Sequence, residues 1–83
     1  MHYRIRKDKK EEVQEGRTLQ YISDICDYSR QHITYIFNGN VDATEKCATD
    51  IIKYIAEDSI KIAIRLNQQG MKNTLNYFFE EVD

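Results

Sequence analysis

The sequence predicts a small, mostly α-helical single domain, and three observations carry that expectation. Apolar residues recur at helical spacing in three consecutive stretches, each preceded by a side chain that can cap a helix. The chain has no proline, so nothing interrupts those stretches. Apolar residues make up 41% of its 83 residues and charged residues 31%, the balance of a chain that folds around one modest core. No linker, repeat or low-complexity tract divides it. About five helices are expected in one domain spanning 1–83, with a core unit over 18–55 and a helical extension over 58–83.

Taken in order, Met1 to Arg6 alternates, with Tyr3 and Ile5 on one side and His2, Arg4 and Arg6 on the other. That is a weak strand signal, too short to stand alone. Lys7 to Glu15 is charged around the single aliphatic Val13 and reads as a short solvated helix ended by Gly16. Thr18 caps a helix whose apolar face is Leu19, Ile22, Ile25 and Cys26. After Asp27 and Tyr28, Ser29 caps a second helix with Ile33, Ile36 and Phe37 inward, and Asn38-Gly39-Asn40 stops it. Asp42 followed by Glu45 predicts a capping-box start to a third helix, buried along Cys47, Ala48, Ile51, Ile52 and Ile55.

The tail carries two readings at each of two places. Ile60, Ile62, Ile64 and Leu66 alternate as a strand would, but a helix from Asp58 or Ser59 to Gly70 is preferred, since a strand there has no evident partner. Met71, Leu75, Phe78, Phe79 and Val82 then predict a final amphipathic helix, the alternative being that Tyr77 to Val82 pairs with the Tyr3–Ile5 strand.

The formal net charge is −2, which by itself disfavours a nucleic-acid partner. Split at Asn40, it becomes seven basic against six acidic residues before and five against eight after. Arg4 to Lys10 alone is +4, and Ser29 to Val41 holds Arg30 and His32 with no carboxylate. A locally positive face can therefore coexist with an acidic total. No apolar run approaches the ~18 residues of a membrane span, and the basic start is followed by no apolar stretch, so a cytoplasmic protein is expected. Cys26 and Cys47 lie on apolar helix faces and read as small core residues; with His2 and His32 they give no zinc spacing, and no metal or cofactor is expected. Asp27, Ser29 and His32 crowd one helix start and cannot arrange nucleophile, base and orienter, so no enzyme and no small-molecule substrate are expected.

The stretch from Thr18 to Gly39, TLQYISDICDYSRQHITYIFNG, resembles the helix-turn-helix of lambda repressor and Cro-type regulators, and DIIKYI over Asp50 to Ile55 resembles that family's next core helix. Ile36-Phe37-Asn38-Gly39 is similar to the end of its recognition helix. Three positions depart from the pattern: Leu19 where the family commonly has Gln, Ser23 where it has Ala, and Asp27 where it has Gly. The resemblance implies a compact lambda repressor-like bundle and a sequence-specific DNA-binding regulator, a repressor of the kind found in phages and mobile elements, working as a homodimer on double-stranded DNA.

Physical reading of the second helix agrees. With Ile33, Ile36 and Phe37 inward, Arg30, Gln31, Thr34 and Tyr35 point outward as candidate base contacts, because Arg pairs with guanine, Gln with adenine and the Thr methyl with thymine. Candidate phosphate contacts are Thr18, Gln20, Ser29, His32, Asn38, Arg17, Lys9 and Lys10, and Asn38 matches the family's Asn. Leu75, Phe78 and Phe79 are the expected dimer surface. The competing reading is a protein-binding module on the same scaffold, such as a phage inhibitor of host machinery of the anti-CRISPR kind, for which the acidic half would mimic nucleic acid. A purely structural assembly protein is a third.

Overall fold

Tyr3 and Ile5 turn inward from strand β1 (His2–Ile5), while His2 and Arg4 face out, so the short alternation at the start of the chain is a real strand. A strand of four residues survives only if it is paired, and the computed structural model, which describes residues 1–82, pairs it on both sides. β2 (Ala43–Thr44) and β3 (Phe79–Val82) flank it antiparallel, giving the order β2-β1-β3 with Tyr3 opposite Ala43 and Ile5 opposite Phe79.

A 3-10 turn (Lys7–Lys9) leads from the sheet into α1 (Lys10–Gln14), which buries Val13. α2 (Leu19–Cys26) and α3 (Arg30–Phe37) follow as predicted, each capped by the expected hydroxyl: Thr18 Oγ1 accepts from Tyr21 N–H at 3.1 Å and Ser29 Oγ from His32 N–H at 3.1 Å. Asp27 stands between them in the left-handed region at φ 59°, which Asp tolerates better than most residues. The α3 terminus is closed at Gly39 (φ 77°), whose N–H reaches Ile36 O while the Asn40 N–H reaches Tyr35 O, so two end carbonyls are satisfied at once. α4 (Glu45–Ala56) buries Cys47, Ala48, Ile51, Ile52 and Ile55 in one stripe. α5 (Ile60–Phe78) is interrupted at Gly70, where φ 82° and ψ 167° break the helical path.

The molecule is thus mostly α-helical, with five helices among the described residues and one short sheet. Three expectations change, and at a fourth place the preferred reading holds. Thr44, not Asp42, caps α4, with its Oγ1 accepting from Cys47 N–H at 3.1 Å; Asp42 instead receives Arg4 Nε at 2.9 Å. Residues 60–70 are helical, as preferred: Ile62 is buried at 2% exposure while Ile60 and Ile64 stand outside at 79% and 52%, where a strand would put all three on one face. The final helix stops at Phe78, and Phe79–Val82 pairs with β1, which is the alternative named above. Leu75, Phe78 and Phe79 are not a surface: they are 4%, 2% and 0% exposed and complete the core of this one chain. No helix of the described residues is long and apolar enough to cross a membrane.

Candidate nucleic-acid interface

The α2–α3 turn is held in place by polar side chains of its own sequence. Buried Ser23 donates its hydroxyl to the Tyr28 carbonyl, tying the last turn of α2 to the connection. Tyr28 OH donates to Asp50 Oδ2 at 2.8 Å, and Lys46 Nζ reaches the same oxygen at 2.7 Å. Those two hydrogen bonds, that from Lys46 foremost, hold the Asp50 carboxyl below the usual carboxylate range. Burial, seconded by the Asp50 bond, pushes the Tyr28 phenol up. The turn is therefore pinned to α4, and α3 is presented in a fixed orientation.

The amphipathic pattern then decides what α3 shows. Ile33, Ile36 and Phe37 are buried at 0–2% exposure, and the opposite face carries the four candidate base contacts. Arg30 and Gln31 are exposed, Tyr35 is 41% exposed and Thr34 is half-buried. Gln31 Nε2 donates to Tyr35 OH at 2.9 Å, an i,i+4 pair that orders both side chains on the surface. His32 is exposed and stands edge-on to Tyr28, ring centroids 5.6 Å apart. Exposed Asn38 continues the line of Arg30 and Thr34 at i, i+4 and i+8, and its Oδ1 accepts from Lys10 Nζ at 3.5 Å. Lys10, Ser29, His32 and Asn38 therefore lie on or beside this face.

Compared with known proteins, the chain matches no family model, no curated protein and no solved structure. The site consequently rests on its own side chains.

Three of the expected phosphate contacts are committed elsewhere. Arg17 Nε meets Asp58 Oδ2 at 2.7 Å and its NH2 meets the Asp58 carbonyl at 2.6 Å, with Glu15 and the Gln14 carbonyl completing its fork. It fastens the α1–α2 connection to the start of α5. Lys9 Nζ donates to Tyr77 OH at 3.1 Å, lies 4.4 Å from that ring's centroid and pairs with Glu12. Gln20 Nε2 is held by Asp24 Oδ1 at 3.0 Å, beside a carboxylate that a phosphate would avoid. Thr18 is exposed, but its hydroxyl oxygen already caps α2. Lys7, within the basic run, is exposed near Lys10, and its side chain has no ion pair or hydrogen bond among the described residues. The signal that could have found it is the i,i+3 spacing of Lys7 and Lys10, which a 3-10 turn running into a helix keeps on one side.

Proposed function

We propose that the chain binds double-stranded DNA sequence-specifically through α3 and acts as a small transcriptional regulator, a repressor of the phage or mobile-element kind. The observation that carries this reading is the outer face of α3: Arg30, Gln31, Thr34, Tyr35 and Asn38, all polar and none acidic, on a helix whose other face is fully buried. An eight-residue helix is about 12 Å long, close to the ~12 Å width of the major groove it would enter. Arg30 supplies a bidentate fork for guanine. Gln31 spends one amide hydrogen on Tyr35 and keeps the other, with its carbonyl oxygen, for adenine. Repression of this kind needs no chemistry, because occupancy of the operator excludes polymerase. With Leu75, Phe78 and Phe79 in the core, the exposed aliphatic residues that α5 offers to a second copy are Ile60 and Ile64.

Selection of duplexes from a random pool, followed by binding titrations across salt concentration, tests the reading. A preferred sequence and an affinity that falls as salt rises are expected, and no binding at low salt overturns it. Arg30→Ala should cost about 1–3 kcal/mol on the preferred duplex and relax selectivity at one base pair. Equal weakening on every sequence would remove Arg30 from the base contacts.

The protein-binding reading draws on the same exposed Ile60 and Ile64 and on the acidic excess after Asn40. A stoichiometric protein partner that survives nuclease treatment, together with no duplex binding, would favour it.

A further inference from the structure

Beside the C-terminal end of α3 lies a groove of about 610 Å³, walled by Arg4, Lys7 and Lys10 on one side and by Phe37, Asn38 and Gly39 on the other. No acidic side chain lines it. Its cations are not equivalent. Arg4 gives its fork to Asp42, with Nε at 2.9 Å and a second nitrogen at 3.3 Å. Of the neighbouring basic residues, Arg6 Nε donates to the Asn76 carbonyl at 3.0 Å, and Lys9 is held by Tyr77 and Glu12. The fold thus neutralises or occupies three members of the basic run and leaves two. Lys7 is without an ionic partner among the described residues, and the contact of Lys10 is the neutral amide oxygen of Asn38.

The position of these two matters as much as their charge. Asn38 belongs both to the groove and to the line of exposed Arg30 and half-buried Thr34 along α3. Arg30 marks one end of that line, and Lys7 with Lys10 marks the other, roughly 12 Å away by helix rise. Gly39 adds access, since nothing lies within 4 Å of where a Cβ on it would stand. Uncommitted cations at one end of a polar helix face, beside open backbone, suit an anion that comes with a duplex: a phosphate of the strand that borders the groove.

We propose that this groove seats a DNA backbone phosphate, with Lys7 and Lys10 as its cationic contacts and Asn38 as a neutral donor once its amide group turns to the anion. The inference rests on α3 being the DNA-reading helix. Lys7 and Lys10 then contribute affinity and register, and no base preference.

The test is fluorescence anisotropy of the full chain with its selected duplex and a scrambled one, from 0.05 to about 0.5 M salt, for wild type, Lys7→Gln, Lys10→Gln, the double variant and Lys72→Gln. Lys72 is exposed on α5, away from this groove, and serves as control. Each single groove variant should lower the salt slope by about 0.9 and weaken binding on the order of eightfold at 0.1 M salt, and the double variant by about 1.8 and on the order of sixtyfold, on both duplexes alike. Lys72→Gln should change neither, Lys7→Arg and Lys10→Arg should restore both, and circular dichroism melts identify any variant that has lost its fold. If wild type binds and the double variant keeps its slope and affinity within twofold, the groove assignment falls and the α3 reading stands. If the double variant loses selectivity between duplexes instead, the two lysines are base contacts and the assignment again falls. If wild type binds no duplex at low salt, both fall together.

Discussion

Arg17 illustrates how much a single side chain's partners decide. Its guanidinium joins Asp58, Glu15 and two backbone carbonyls, and Tyr21 OH adds a 3.0 Å bond to Asp58 Oδ1. Arg17 and then Tyr21 hold the Asp58 carboxyl below the usual carboxylate range. The native state therefore keeps that group ionised at a pH where the unfolded chain, titrating near 3.9, takes up a proton. The resulting stability is present above about pH 4 and is lost as pH falls through the native value. In thermal melts Asp58→Asn should show a shallower fall of Tm below pH 4 than wild type; parallel curves would mean that the pair adds no stability. Cys26 gives a second expectation. Burial, with Cys47 next in effect, pushes its thiol up to about 12, so at pH 8 the native chain should resist alkylation of Cys26 and take the label only once denatured. Rapid labelling of the native chain would contradict its place in the core. The sequence discloses Thr18, Ser29 and Gly39 as caps because a cap acts within its own turn. It does not disclose where Arg17 and Lys9 go, because Asp58 and Tyr77 lie 41 and 68 positions further on.

At the scale of elements, local and distant information separate cleanly. α2 and α3 are legible because cap, apolar face and stop all agree. The α4 start is not, since pairing of Ala43 and Thr44 with Tyr3 and His2 carries the cap to Thr44 and frees Asp42 for Arg4. Phe78 and Phe79 mislead for a similar reason. Two adjacent buried aromatics fit the i+7 and i+8 positions of a helix counted from Met71, yet both point inward here because helix gives way to strand between them. The strand after that switch pairs with β1, at the other end of the chain. The break in α5 supplies a prediction. Gly70 occupies a backbone region that is essentially closed to other residues, so Gly70→Ala should destabilise by about 1–3 kcal/mol although its Cβ would meet nothing within 4 Å. Chemical denaturation measures this; a neutral result would show that the two halves of α5 can join into one straight helix.

For the whole molecule, one core serves sheet and helices together. Phe79 is fully buried opposite Ile5, so Phe79→Ala should cost about 3–5 kcal/mol. For a chain of this length total stability is about 4–12 kcal/mol, so that variant should melt far earlier or not fold at all. Urea unfolding followed by far-ultraviolet circular dichroism checks this, and a loss under 1 kcal/mol would show β3 to be dispensable. The charge balance also changes meaning at this scale. A net −2 disfavours nucleic acid only if charges are averaged; ion pairs remove Arg4, Lys9 and Arg17 from the account and leave Arg30, Lys7 and Lys10 grouped around α3. So few free cations predict a small salt slope and weak binding by one copy.

The placing of β1 between β2 and β3 has a further consequence for how the protein is made. Phe79 is synthesised 74 residues after the Ile5 it pairs with. At ~5–20 residues per second, the strand that leaves the ribosome first waits roughly 4–15 s for its second neighbour. During that interval Tyr3 and Ile5 lack Phe79 and the rest of β3 as neighbours. Ribosome-bound nascent chains should accordingly reach the native state only once the β3 segment has emerged, so the sheet that closes the core is the last part completed.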